Sequence, residues 1–172
     1  MGQNPLELKL RLAQREDLAR IVEIYNETIP SRQVTADIEL VSVESREPWF
    51  HEHTATKHPL WVTEIDGRIA AWLSFSSFYG RPAYDCTAEL SVYVAASFRR
   101  RGVGNFLLSE ALVAVPALNI KNLLGFIFGH NEPSLALFER HGFSRWGLLP
   151  RVAELDGISR DLVIVGRRID RQ

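Results

Sequence analysis

The chain of 172 residues has a single cysteine, Cys86, so it cannot form an internal disulfide, and a lone thiol fits a reducing compartment such as the cytoplasm. No apolar run approaches the ~20 residues that a membrane span needs. The segment Met1 to Leu10 lacks the apolar core of a signal peptide, and Leu6 stands where a myristoylation signal requires Ser or Thr. Charge of one sign is not in excess either. Twenty Lys and Arg face 21 Asp and Glu, for a formal net charge of −1, which speaks against a nucleic-acid binder. Repeats, low-complexity runs and linkers are absent, so a single domain over 1–172 is expected, with Met1 to Pro5 as a loose leader.

Two familiar phosphate loops are also missing. A P-loop ends in Gly-Lys-Ser/Thr, but Gly104 is followed by Asn105 and Phe106. A dinucleotide fingerprint needs a glycine at position 107, which is Leu107. The segment Thr87 to Glu110 offers something else. Thr87 to Val94 is short and rich in β-branched and aromatic residues, as in a strand. Ser97 to Gly104 holds Arg99, Arg100 and Arg101 with Gly102 and Gly104, and a helix is expected from Asn105, with Phe106, Leu107, Leu108, Ala111 and Leu112 at helical spacing. Glycines permit φ > 0 and close approach by a ligand. The free N–H groups and partial charge of the helix start then favour an anion. A basic, solvated turn has the same sequence signature.

The rest of the chain alternates strands and helices. Leu6 to Leu12 alternates apolar and charged residues as a half-buried strand. Gln14 to Asn26 reads as a helix through Leu18, Ile21, Val22 and Tyr25, followed by a polar connection to Asp37. Ser42 to Thr54 reads as a second helix, interrupted at Pro48. Leu60 to Ile65 and Arg68 to Phe75 form a hairpin around Asp66-Gly67. Ser76 to Asp85 is an aromatic and basic loop. Leu123 to Phe128 is a strand, Asn131 to His141 a loop and helix with Pro133 in its first turn, and Leu148 to Glu154 and Asp161 to Ile169 two final strands. His51, His53 and His58 invite a metal reading. Two residues apart, His51 and His53 fall on different sides of a helix, and no cysteine is near, so no metal is expected.

Arg99-x-x-Gly102-x-Gly104 after Val92-Tyr93-Val94 resembles the acetyl-CoA loop of the GNAT N-acetyltransferase superfamily, Gln/Arg-x-x-Gly-x-Gly/Ala. Asn131-Glu132-Pro133-Ser134, followed by Glu139-Arg140-His141-Gly142-Phe143, is similar to a second segment of that family. Tyr84-Asp85-x-Thr87-Ala88-Glu89 brings the chain nearest the phosphinothricin and methionine sulfoximine acetyltransferases. The resemblance implies an α/β (α+β) protein of the GNAT fold: a single mixed, mostly antiparallel twisted sheet of about seven strands flanked by about four helices. It also implies a homodimer that moves the acetyl group of acetyl-CoA to a small amino-acid-like amine, in the cytoplasm that the lone cysteine already suggests.

Site residues follow from the same resemblance. The pantetheine arm would pair with the backbone of Val92, Tyr93 and Val94. The pyrophosphate would lie on Arg99, Arg100, Arg101, Gly102, Val103, Gly104 and Asn105. Asn131 would bond the arm with Ser134 beside it, or cap the helix before Pro133, or both. Glu89 stands alone in an uncharged strand and would act as general base, directly or through water. Arg81, Pro82, Ala83 and Tyr84 would meet the substrate. Where related enzymes place Tyr or His, this chain has Phe138, which cannot donate a proton, so the thiolate would take one from water, Tyr93 or another neighbour. Two other readings share these motifs: a protein or peptide N-acetyltransferase, and a non-catalytic acetyl-CoA-binding module.

Overall fold

The computed structural model describes residues 7–169. The expected leader, Met1 to Pro5, and the Leu6 start of the first strand lie outside the described residues. Seven strands form one sheet: β1 (Lys9–Leu12), β2 (Leu60–Ile65), β3 (Arg68–Ser77), β4 (Thr87–Val94), β5 (Asn122–Phe128), β6 (Ser144–Leu155) and β7 (Ile158–Arg168). Their order is β1-β2-β3-β4-β5-β7-β6. Every neighbouring pair is antiparallel except β4 with β5. The helices are α1 (Leu18–Asn26), α2 (Val43–His51), α3 (Val103–Ala114) and α4 (Glu132–Arg140). This is the mixed sheet and helix set that the sequence motifs imply.

Alternation along the two central strands assigns the faces. Ala71, Leu73 and Phe75 of β3 and Ala88 and Leu90 of β4 turn to one side, where Leu107, Leu108 and Ala111 of α3 are buried with them, all at 3% exposure or less. Trp72, Ser74 and Ser76 of β3 share the other side with Glu89, Ser91 and Tyr93 of β4, and α1 covers them: Trp72 Nε1 donates to the Ile21 carbonyl at 3.1 Å. Two turns set the hairpins. Asp66 and Gly67 between β2 and β3, and Asp156 and Gly157 between β6 and β7, each have two positive φ angles in succession, the twist that a tight hairpin needs. An ion pair locks the first strand. Arg11 reaches Asp17 at 2.6 Å and Glu64 at 2.7 Å, tying β1 to the turn before α1 and to β2.

The boundaries depart from expectation for physical reasons. α1 begins at Leu18 after a short 3₁₀ turn, Arg15–Asp17, in which the Asp17 carboxylate accepts the Gln14 N–H at 2.7 Å. α2 runs through Pro48 without a break and is capped by Ser42, whose Oγ accepts the Ser45 N–H at 3.1 Å. Pro48 only forgoes one bond, to the Glu44 carbonyl. α3 starts at Val103, not Asn105, because Gly102 at φ 81° is its N-cap. Gly104 is therefore already helical, and it is small for another reason: a Cβ there would lie 3.1 Å from Leu137 Cδ2 of α4. The two final strands are longer than their apolar cores, because Asp156-Gly157 is a hairpin that the sequence reading passed over.

Candidate functional site

The parallel pair β4 and β5 touches at one end only. Thr87, Ala88 and Glu89 pair with Asn122, Leu123 and Leu124, and beyond Glu89 the strands diverge. From Leu90 to Val94 the β5-facing backbone edge of β4 is open, while its other edge stays paired to β3. The fork is a slot lined by Ser91, Val92 and Tyr93 on one side and Phe126, Ile127 and Asn131 on the other, with Ser134 and Phe138 of α4 behind.

Glu89 sits where the fork closes. On its face of the sheet lies a second cavity of about 190 Å³. Its floor is Trp72, Ser74, Ser76, Glu89, Ser91 and Tyr93; α1 and α2 roof it with Tyr25, Arg46 and Trp49. Ser91 and Tyr93 line both spaces, so slot and cavity share a wall. One molecule can thus enter through the fork and another from the opposite side, and Glu89 faces the second.

Electrostatics distinguish the titratable groups. Burial alone raises the Glu89 pKa above the usual carboxylate range, and among the described residues no hydrogen bond or ion pair holds its carboxylate. Burial raises Tyr93 as well, helped by the nearby Tyr25, so its hydroxyl holds its proton tightly and suits a packing role. The Tyr93 ring stacks on Trp72 at 4.4 Å, and Trp49 meets Trp72 edge-on at 5.5 Å. Tyr25 donates to Asp37 and is bonded to Thr35. Burial and the Asp37 bond hold its pKa above the usual phenol value. Arg46 lies over the Tyr25 ring at 4.6 Å and gives one N–H to Asp37 at 2.9 Å.

The basic loop lies at the far end of the fork. Gly102 has the left-handed φ, and Arg100 shares that region at 58°. The first bond of α3 runs from Phe106 N–H to Gly102 O at 3.0 Å, so the N–H groups of Val103, Gly104 and Asn105 have no partner within the helix. Arg99 donates to the Val94 carbonyl at 3.1 Å, and Arg101 lies over Phe98 at 5.6 Å. Arg99, Arg100 and Arg101 are exposed. Asn131 is 5% exposed and caps α4 by accepting the Ser134 N–H at 3.3 Å, while also lining the slot.

Arg81, Pro82, Ala83 and Tyr84 form an exposed turn after β3, outside the lining of the cavity. Tyr79 and Tyr84 cluster there with Phe78, at 79% and 42% exposure. Arg46, Trp49 and Trp72 were not foreseen as site residues. The available signal was Trp72-x-Ser74-x-Ser76, a polar stripe that alternates with buried Leu73 and Phe75. The histidines divide. His51 is exposed beside Glu47, whereas His53 packs on Trp49 and donates through Nδ1 to the Trp49 carbonyl at 2.8 Å. Among the described residues no group of three or more His, Cys, Asp or Glu side chains converges as a metal would require. No helix of the described residues is long and apolar enough to cross a membrane.

A forked parallel pair, an open strand edge and a glycine-capped helix start stand where the resemblance to acetyltransferases implies them, and the family comparison agrees. The model of the Acetyltransferase (GNAT) family matches residues 18–143, and the chain belongs to that family. It is an acetyl-CoA-dependent N-acetyltransferase. Among particular proteins, it is 55% identical over 163 residues to YwnH of Bacillus subtilis (strain 168), covering 94% of this chain and 99% of that one; the name of YwnH assigns it provisionally to the phosphinothricin acetyltransferases. It is 25% identical, over 95% of both chains, to the L-methionine sulfoximine/L-methionine sulfone acetyltransferase of Salmonella typhimurium (strain LT2). A solved phosphinothricin acetyltransferase from Sinorhizobium meliloti, in complex with acetyl-CoA, superposes with a TM-score of 0.88 at 28% identity, over 94% of this chain and 88% of that one.

Proposed function

We propose that the chain acetylates the amino group of a small amino-acid-like compound of the phosphinothricin or methionine sulfoximine type, with Glu89 as general base. The wall that slot and cavity share through Ser91 and Tyr93, with Glu89 in the cavity floor where the fork closes, carries this reading. Acetyl-CoA supplies the thioester. The open edge of Val92, Tyr93 and Val94 pairs with its extended arm as a strand would. The unpaired N–H groups of Val103 to Asn105, with Arg99, Arg100, Arg101 and Gly102 before them, take the pyrophosphate. Asn131 keeps its amide NH₂ for the arm while its oxygen caps α4, and Ser134 lies beside it. Glu89 accepts the proton that the acceptor ammonium gives up, directly or through one water, and the freed nitrogen attacks the thioester carbonyl. An α-amino group with a pKa of about 7.7–8.0 needs little help near neutral pH, and a carboxylate of raised pKa is better matched to the task than an ordinary one. Phe138 is apolar and 4% exposed, so the departing thiolate takes its proton from water.

The cavity, about 190 Å³ between aromatic walls, is of small-molecule size, which favours an amino acid over a peptide. Arg81, Pro82, Ala83 and Tyr84 would act at its entrance. The lone cysteine supports a cytoplasmic setting. A second copy of the chain is the proposed partner. β6 is an edge strand carrying Leu148 and Val152 at 56% and 58% exposure, and an antiparallel edge can pair with itself about a two-fold axis.

The test is thiol release from acetyl-CoA with phosphinothricin, methionine sulfoximine, methionine sulfone, plain amino acids, polyamines and a short peptide, using wild type and Glu89→Gln. The variant is expected to lose about 10²- to 10⁴-fold in kcat/KM with unchanged acetyl-CoA affinity. Full turnover by Glu89→Gln would remove the base, and turnover with the peptide alone would move the function to protein acetylation. Light scattering on Leu148→Glu reads the dimer.

A further inference from the structure

The acceptor cavity contains one side chain that amine chemistry does not need. Arg46 projects from α2 into the roof, over the Tyr25 ring and near Trp49, whose centroid lies 6.0 Å from its guanidinium carbon. A guanidinium has five N–H donors. One is given to Asp37, and no other hydrogen bond from Arg46 occurs among the described residues. Its charge is not spent on Glu89 either, since burial alone accounts for the shift of that carboxylate. Tyr25 and Asp37 brace the group from behind: Tyr25 donates to the same Asp37 oxygen that accepts from Arg46. A braced cation with free donors, roofing a cavity of about 190 Å³ between aromatic walls, is built for an oxyanion.

We propose that Arg46 is the acceptor-anion receptor of this site. The compound acetylated carries a carboxylate or comparable oxyanion beside its amino group. The oxyanion pairs with the free N–H groups of Arg46, the amine faces Glu89, and the uncharged remainder lies against Trp72 and Trp49. Arg46 thereby selects amino acids over amines that lack an acid group. Asp37 is a positioning residue that fixes the guanidinium fork. The inference rests on the acetyl-transfer reading and deepens it.

The experiment compares each accepted amino acid, L-methionine sulfone included, with its carboxamide, on wild type, Arg46→Lys and Arg46→Gln. Wild type is expected to prefer the carboxylate member of each pair. Arg46→Gln is expected to erase that preference through a rise of about 10- to 100-fold in KM for the carboxylate member, the loss of a charge-assisted pair. Arg46→Lys should recover part of it, because a point charge remains without the fork. Acetyl-CoA affinity serves as the control and stays at the wild-type value, while loss of the Asp37 bond lowers Tm equally whichever acceptor is present. A preference that survives Arg46→Gln, or a wild type indifferent to the carboxylate, overturns the proposal. If no pair is turned over, the acetyl-transfer reading fails by itself. Calorimetric titration of the same pairs then decides the present proposal: carboxylate-selective binding lost in Arg46→Gln supports it, and the absence of such binding refutes it.

Discussion

Gly125→Ala probes how tightly the cofactor slot is held from behind. Gly125 lies in β5, opposite Val165 of β7 and under Phe138 of α4. An added Cβ would lie 2.9 Å from Phe138 Cε1 and 3.0 Å from Val165 Cγ2, against an ordinary carbon separation of about 3.5–4.0 Å. Neither neighbour can swing away. Phe138 is 4% exposed and Val165 fully buried, and Phe138 is also braced edge-on against Phe143 at 4.9 Å. Forcing one methyl into such a core costs about 1–3 kcal/mol. Replacing glycine in a strand returns about 0.5–1 kcal/mol. The net loss is about 1 kcal/mol, and a protein of this size loses about 2–4 °C in Tm for each kcal/mol. The displaced ring lines the slot, so KM for acetyl-CoA should rise with the loss of Tm. Calorimetry and a thiol-release assay read the two effects. Phe138→Leu should relieve both when combined with Gly125→Ala. An unchanged Tm, or a double mutant whose losses simply add, would refute the reasoning.

Other outcomes follow from the same geometry. Gly102→Ala must hold φ near 81° with a side chain, which costs about 1–3 kcal/mol, and it should weaken acetyl-CoA binding more than acceptor binding. Glu89 is active when deprotonated and burial raises its pKa, so kcat/KM should fall as pH drops through a value above the ordinary carboxylate range, and Glu89→Gln should abolish that limb of the profile. The same burial penalises the charged native form, so Glu89→Gln should be more stable than wild type at neutral pH, with the advantage shrinking as acid protonates the wild-type carboxyl. For Asp17, burial pushes the pKa up, but the Arg11 guanidinium and the Gln14 N–H outweigh it, leaving the native value below the unfolded one. Its stabilisation is therefore present above the usual carboxylate range and lost as pH falls through the native value. Arg11→Ala should flatten the acid limb of a stability–pH curve.

The strands and the anion loop were legible because their signals are local. Period-two alternation, the Asp66-Gly67 turn and the arginine–glycine loop each lie within a few residues. Glu89 was conspicuous as a lone charge in an apolar strand, and the structure shows it half-buried and unpaired at the point where β4 leaves β5. The acceptor cavity was less legible. Its walls come from α1, α2, β3 and β4, and a sequence does not state that Trp49 will meet Trp72, or that Arg46 will roof a space floored by Glu89. The aromatic loop at Tyr79 to Tyr84 drew attention by composition, and it stands exposed outside that lining. The start of α3 was misplaced because glycine at an N-cap is a weaker cue than Asn105, and Asp156-Gly157 was missed although it repeats the cue at Asp66-Gly67.

The fork has a mechanical consequence. Between β4 and β5 the sheet is joined only through Thr87, Ala88 and Glu89 with their partners, so its two halves meet at a short seam. A ligand arm lying along the open edge would extend that seam and finish the sheet. Ligand binding and rigidity of the whole molecule then become one quantity. At a concentration 100 times its Kd, a molecule that binds only the folded chain adds about 2.7 kcal/mol of stability. Much of that gain should appear as slowed hydrogen exchange along Leu90 to Val94 and Gly125 to Phe128, where the unliganded chain leaves the sheet incomplete.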